Sequence, residues 1–294
     1  MISVVICSVN SSMAQKVKSN IDNTIGLPWE PIIIDNSISP RGITAVYNEG
    51  ARKASHLFVC FIHEDVEIKT QDWGKKLIEY FNADAGLGMI GLAGARYKSR
   101  TPSGWMTFEE KLDRYTITHI NKEGKTEKMH FDEPPYSDLK EVVCLDGVFM
   151  CIRKEVVMEF PFDEQLLQRF HLYDIDISFR ISRKHKVSVC FSIDLLHYTQ
   201  GGDYGDKWID ETLKWHKQYD SALPVTQPGL TINPDWEAQI ARMWLKRLRT
   251  EKITIRNKMR WLRASGSFSR PQQWGDVSML FLFRPLKFIL RKNK

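Results

Sequence analysis

The sequence predicts an α/β fold, doubly wound in its first half, on three observations. Short β-branched runs alternate with amphipathic stretches of about ten residues through positions 1–95, the signature of βαβ units around a parallel sheet. The strand pattern returns from Val142 after a Gly- and Pro-containing interruption. The 294 residues, 43% hydrophobic and 27% charged, suffice for one large domain or two small ones, which excludes wholesale disorder, collagen and a disulfide miniprotein.

The elements follow in order. ISVVICS reads as a buried first strand; a polar helix follows Ser11 and Ser12, and EPIIIDN gives the second strand. The helical ITAVYNEGARKA leads to the strand LFVCFIH, the helical DWGKKLIEYF and the strand GMIGLAG. Ligands of such sheets bind outside the carboxyl ends of the strands, so residues 8–10, 35–37 and 63–65 are the ones to read, and all three endings are polar. Residues 96–140 lose the rhythm (TPSG, NKEGK, DEPPYSD) and read as an excursion, with a hairpin around 116–129, that serves as a lid or specificity loop. Beyond it come VVCLDGVFMCIRKEV, the loop EFPFDEQL, a helix over about 173–185, the strand VSVCFSI, the segment LLHYTQGG and a helix that ends near Pro224. Residues 1–224 are thus expected to form the body, in parts 1–95, 96–140 and 141–224, and 225–294 a basic amphipathic C-terminal region.

Cys7, Cys60, Cys144, Cys151 and Cys190 are odd in number and lack metal-site spacing, and at least four lie in strand-like runs, so buried reduced thiols are expected. That usage fits a reducing compartment, and the first residues lack the basic start of a signal peptide, so a cytoplasmic location is expected. No run approaches the roughly 20 apolar residues of a spanning helix.

Three segments carry candidate chemistry. In FIHEDVEI a buried strand ends at His63, Glu64 and Asp65, which places carboxylates at the mouth of the sheet; they suit Mg²⁺ or Mn²⁺ held against a diphosphate, or merely form a solvated acidic turn. In RFHLYDIDISFR, Asp174 and Asp176 open a helix; they are either capping acids or include a general base. In LLHYTQGG, His197 follows a strand and precedes two glycines, where it either makes a structural hydrogen bond or completes the cation site of Asp65.

Taken together, IIIDNS, AVYNEGARKA, LFVCFIHEDVEI, CLDGVFMCIRKEV, FDEQLLQRFHLYDIDISFRISRKHKVSV and LLHYTQGG resemble a bacterial family 2 glycosyltransferase of the GT-A fold, in the branch whose metal motif reads His-x-Asp, over about residues 1–220. The resemblance implies a Rossmann-like mixed sheet flanked by helices, with 1–95 as the nucleotide-binding half and 141–224 as the acceptor half. It implies that Asp35 contacts the uracil or ribose of a nucleotide-sugar, with Ser8 and Asn10 at the first strand, and that Asn48 shapes the pocket. Asp65 matches the metal-binding carboxylate; His63, in place of the first acid, and Glu64 between them are expected on the nucleotide-sugar, and Asp146 matches the acid lining the sugar and acceptor pocket. Asp174 matches the base of inverting members, although Tyr173 stands where Glu is usual and Asp176 stays an alternative; His197 matches a late histidine that binds metal or diphosphate. The implied reaction is inverting, divalent-cation-dependent transfer from a nucleotide-sugar, by preference a UDP-sugar, to a glycan or lipid-linked acceptor in surface-polysaccharide assembly. A non-catalytic GT-A-like domain that binds nucleotide-sugar or glycan, or scaffolds a partner, is the competing class. Nucleotidyl transfer would call for a Gly-rich basic loop after the first strand, and SVNSSMAQK is not one.

The net charge of +6 conceals a division: positions 242–294 hold 15 Lys and Arg against two Asp and Glu, and the remainder 27 against 34. The basic region mixes Trp, Leu, Met and Ile with Arg and Lys at helical spacing. It reads as an interfacial segment on anionic lipid at the inner face of the cytoplasmic membrane, or as helices packed on the body with a cationic outer face. Nucleic acid is not expected as a partner, because the acidic body would repel a polyanion and no recognised binding motif is present.

Overall fold

The computed structural model describes residues 1–121, 123–129, 138–199 and 203–282. The glycines at 201–202, the end of the excursion at 130–137 and the apolar and basic run from 283 onward lie outside the described residues.

The chain begins β1 (Ile2–Ser8), α1 (Ser11–Thr24), β2 (Trp29–Asp35), α2 (Ile43–Lys53), β3 (Phe58–Ile62), β4 (Val66–Ile68), α3 (Trp73–Ala83) and β5 (Leu87–Gly91). The short strands β6 (Ala93–Ala95), β7 (Tyr97–Lys98) and β8 (Asp113–Tyr115) follow, with the hairpin β9 (Ile117–Ile120) and β10 (Thr126–Met129). Next come β11 (Leu139–Val142), β12 (Cys144–Leu145), β13 (Phe149–Arg153), α4 (Lys154–Glu159), α5 (Tyr173–Ile181), β14 (Lys186–Cys190) and β15 (Leu195–His197). The last part holds α6 (Asp206–Gln218), β16 (Val225–Thr226), α7 (Trp236–Leu248), α8 (Ile255–Ala264) and α9 (Trp274–Leu282).

A seven-stranded mixed sheet of order β11-β14-β5-β13-β3-β1-β2 forms the centre. β1 pairs in parallel with β2 and β3, while β13 enters antiparallel between β3 and β5. β3 (FVCFI) is buried at every position, as a strand covered by helices on both faces must be. One core packs Val4 and Ile6 of β1 against Val17, Ile21, Trp73 and Leu77 of α1 and α3; the other packs Val5 and Phe61 against α2, α4 and α5. At Gly50 of α2 a Cβ would stand 2.3 Å from Val5, so only glycine allows this helix so close to β1. The five cysteines lie in strands and are free.

A second sheet, of order β10-β9-β15-β4, begins just past the carboxyl end of β3. β15 pairs antiparallel with β4, and His197 falls opposite Val66, the residue after Asp65.

One expectation needs amendment. The helix expected over 173–185 stops at Ile181, and a turn through Arg183 and Lys184 feeds β14. The hydrophobic core continues past 224. Trp236, Trp244, Leu245, Trp261 and Leu280 share one apolar cluster with Tyr97, Leu172, Phe179, Trp208 and Trp215. Described residues 236–282 are therefore helices packed on the body, fastened by Tyr97 to Glu237, Trp244 to the Met106 carbonyl and Trp261 to the Pro102 carbonyl. No helix among the described residues is long and apolar enough to cross a membrane.

Candidate active site

The turn from β1 into α1 is held by one carboxylate. Glu64 accepts from the Ser8 hydroxyl at 2.7 Å and from the backbone N–H groups of Val9 and Asn10 at 3.1 and 3.2 Å. The Asn10 side chain caps α1 by accepting from the N–H groups of Ser12 and Met13. Ser8, Asn10 and Glu64 are thus committed to shaping the floor where β1 and β3 end.

On that floor His63, Asp65 and His197 converge, each with one donor atom within 4.8 Å of the others. His197 Nε2 lies 3.4 Å from Asp65 Oδ2, and His63 Nδ1 lies 3.9 Å from Asp65 Oδ1. The long stretch of sequence between Asp65 and His197 is bridged by the β4–β15 pairing, reinforced by the Tyr198 N–H donating to the Asp65 carbonyl. Burial and the neighbouring His197 hold the His63 pKa below its ordinary value, which keeps the ring in the neutral, ligating form. Burial pushes the Asp65 carboxyl up, but the bonded His197, and the pull of either histidine when protonated, outweigh it and leave the pKa lowered. His63 Nε2 meets the Tyr173 hydroxyl at 2.7 Å, an outer contact that orients the ring and leaves Nδ1 toward Asp65. The buried His197 Nδ1 has no hydrogen-bond partner. Two imidazoles, one of them with a ring nitrogen that has no partner, and a carboxylate fit a divalent cation. His63, expected on the nucleotide-sugar, therefore stands among the candidate cation ligands.

Behind the cation group lies a pair of carboxylates. Asp146 accepts from the Trp105 indole at 2.7 Å and the Val148 N–H at 2.9 Å; Asp174 accepts from the N–H groups of Gly147 and Ile175 at 2.9 and 2.8 Å. Burial, and then the charge of Asp146, raise the Asp174 pKa to about 7. Gly147 matters sterically, because a Cβ there would stand 2.2 Å from the Tyr173 hydroxyl. Asp176, the alternative base, is 1% exposed and bonded to Arg180, the Trp215 indole and the Tyr219 hydroxyl. Those bonds commit Asp176 to fastening α5 against α6, away from the cation group.

A cavity of about 540 Å³ opens beside His63, Glu64 and Asp65 and is lined further by Asn36, Arg41, Tyr47, Arg169 and Phe170. A second, of about 660 Å³, reaches Glu64 and Asp65 from the side of α1 and Tyr198. Asp35 and Asn48, expected on the nucleotide-sugar, line neither of these two cavities. Asp35 is exposed and caps its own turn by accepting from the Ser37 N–H and hydroxyl, while the next residue, Asn36, enters the cavity. Asn48 is buried and its amide is satisfied by the Phe162 backbone and Glu164, so it ties α2 to the loop before α5. Sequence reasoning missed Arg41, Tyr47, Arg169 and Phe170. The Pro-Arg-Gly turn before α2 is a usable signal for Arg41, whereas nothing in the loop around Arg169 distinguishes it from solvated chain.

Comparison with known proteins identifies the class. Residues 3–213 match the model of the family described as "Glycosyltransferase like family", and the chain belongs to that family. With its central mixed sheet flanked by helices, the fold is of the GT-A type. Among solved structures, the chain is similar to GalNAc-T7, crystallised with UDP, GalNAc and Mn²⁺, at 12% identity over 68% of this chain and TM-score 0.49; it spans 44% of that chain's length. It is also similar to A197 from STIV, at 14% identity over 67% of this chain and 85% of that one, TM-score 0.38. A search of curated protein sequences finds no match.

Proposed function

We propose that the protein is an inverting, metal-dependent glycosyltransferase that moves a sugar from a nucleotide-sugar, by preference a UDP-sugar, to a glycan or lipid-linked acceptor. The observation that carries this reading is the convergence of His63, Asp65 and His197 beside a nucleotide-sized cavity, with Asp174 raised to about 7 behind them. Mixed nitrogen and oxygen donors favour Mn²⁺ over Mg²⁺, which prefers oxygen alone. When bound, the cation supplies Lewis-acid neutralisation of charge on the departing diphosphate.

The protein's own residues do the rest. Tyr173 fixes the ring of His63, and Glu64 holds the β1–α1 turn against the donor. Arg41 and Arg169 line the cavity and offer positive charge to the donor phosphates. Asp174 takes the proton of the acceptor hydroxyl while that oxygen bonds to the anomeric carbon and the carbon–phosphate oxygen bond breaks on the opposite face. A pKa near 7 leaves this carboxylate both substantially ionised and basic enough near neutrality.

A lipid-linked acceptor agrees with the cationic C-terminal region. Arg256 and Arg263 lie two turns apart on α8, both exposed, next to Ile255 at 71% exposure; this face would rest on anionic lipid at the inner surface of the cytoplasmic membrane.

A thermal-shift series with UDP, GDP, dTDP and CMP and their sugars, each with and without Mn²⁺, tests the reading. Metal-dependent stabilisation by one nucleotide, lost in Asp65→Ala, supports it. Absence of any nucleotide effect with every metal favours a scaffold or glycan-binding role instead.

A further inference from the structure

The β9–β10 hairpin lies beside the candidate cation group. In the second sheet β15 pairs antiparallel with β4 and parallel with β9, which aligns residues in rows across it. Ile68, Leu195 and Ile117 fall in one row and are buried in a single core. Two positions along, on the same face, the next row reads Val66, His197 and His119. An apolar row thus gives way to two imidazoles where the sheet reaches Asp65, whose carbonyl accepts from the Tyr198 N–H. The His119 and His197 rings stand 5.2 Å apart at 52°, and His119 is half-buried. Its strand is fixed, because the Thr116 N–H donates to the Leu92 carbonyl at 2.9 Å and Ile117 packs in the core. His119 is not among the three residues whose donor atoms converge within 4.8 Å. It adjoins that group without belonging to it.

His197 presents Nε2 to Asp65 at 3.4 Å, and its Nδ1 is buried with no hydrogen-bond partner. A neutral imidazole that gives one nitrogen to a cation carries its proton on the other, and that proton needs an acceptor. His63 already has such an outer contact, the Tyr173 hydroxyl on Nε2, with Nδ1 toward Asp65. We infer that His119, carried in by the hairpin, is the outer partner of His197, its imidazole accepting the Nδ1 proton of His197 when Nε2 takes a divalent cation. Binding at Nε2 fixes the tautomer that makes this bond, and no proton leaves either ring. The inference rests on the metal-dependent reading of the site. It makes His119 a positioning residue and gives the hairpin, to which sequence pattern assigns no chemistry, a task at the cation group.

The test uses the full chain with Mn²⁺ or Co²⁺ as the sole ligand, so it needs neither nucleotide nor acceptor. His119→Phe keeps a flat ring beside His197 and removes the acceptor; it should weaken Mn²⁺ binding by about 10–100-fold in calorimetric titration, at unchanged stoichiometry. His119→Ala should do the same. His119→Asn and His119→Gln offer a carbonyl oxygen near one or the other ring nitrogen's place, and at least one of them should recover most of the affinity. The visible absorption of bound Co²⁺ should keep its band positions and intensities in His119→Phe, because the number and type of ligands do not change. Mn²⁺ affinity within about two-fold of wild type in His119→Phe or His119→Ala overturns the inference, and so does an equal loss in all four variants, which marks a purely structural role. A Co²⁺ spectrum altered in His119→Phe makes His119 a ligand itself and overturns the outer role. A wild type that takes up neither ion overturns the cation group and its support together. Mn²⁺ binding that depends on His119 in a protein that binds no nucleotide-sugar supports the inference while it overturns the donor reading.

Discussion

Replacing Asp174 by Asn removes a proton acceptor and a half-buried charge together, and pH separates the two effects. The folded-state pKa is raised from 3.8 to about 7, chiefly by burial and then by Asp146. Because that value lies above the unfolded one, the contribution of Asp174 to stability is fully present below about pH 4 and is lost as pH rises through 7. Three pKa units at about 1.4 kcal/mol each set a ceiling of about 4 kcal/mol for ionising the carboxyl in place. Relaxation, and the loss of one of the two acceptor oxygens that serve the Gly147 and Ile175 N–H groups, reduce the expected gain of Asp174→Asn to about 1–2 kcal/mol at pH 8. For a chain of this size that is about 2–4 °C in thermal midpoint. Scanning calorimetry of both proteins from pH 4 to pH 8 should show a difference near zero at the acid end that widens through pH 7, while transfer falls by about 10²–10⁴-fold. A midpoint difference that stays constant with pH, or full turnover in the variant, would refute the assignment of a half-buried, poised base.

Other perturbations probe separate parts of the site. Gly147→Ala should push the Tyr173 hydroxyl off His63 and weaken Mn²⁺ binding by about 10–100-fold, read by calorimetry; unchanged affinity would show that this outer contact does not support the ligand. Asn48→Ala should cost about 2–3 kcal/mol in urea unfolding and spare nucleotide affinity in the folded protein, because its amide serves the 162–164 loop; the reverse pattern would return Asn48 to the pocket. Arg256→Glu with Arg263→Glu should lower binding to phosphatidylserine vesicles by at least about 30-fold, at about 1 kcal/mol per cation lost, and sedimentation equal to wild type would remove the membrane assignment.

Much of the fold is legible because burial writes itself into periodicity. The runs ISVVICS and FVCFI are strands buried on both faces, and a strand so placed needs apolar residues at nearly every position. The candidate cation group is half legible: Asp65 and His197 stand out at strand ends, whereas the family resemblance directs His63 to the nucleotide-sugar. Asp35 and Asn36 show the limit of such reading. Adjacent residues at a strand end point in different directions, and only the turn that Asp35 makes with Ser37 decides that Asn36 faces the cavity.

The sequence by itself determined the α/β class, the order of elements and the candidate acids and histidines, since each depends on local pattern. Only the tertiary structure gives Asp174 and Asp176, two near neighbours on one helix, different surroundings: one feels the charge of Asp146 and the other pairs with Arg180 and Trp215. It also decided that α7 packs on the body, because basic amphipathic helices present the same pattern to lipid and to protein. What distinguishes them is the complementary apolar surface, here Trp208 and its neighbours, that the rest of the chain provides.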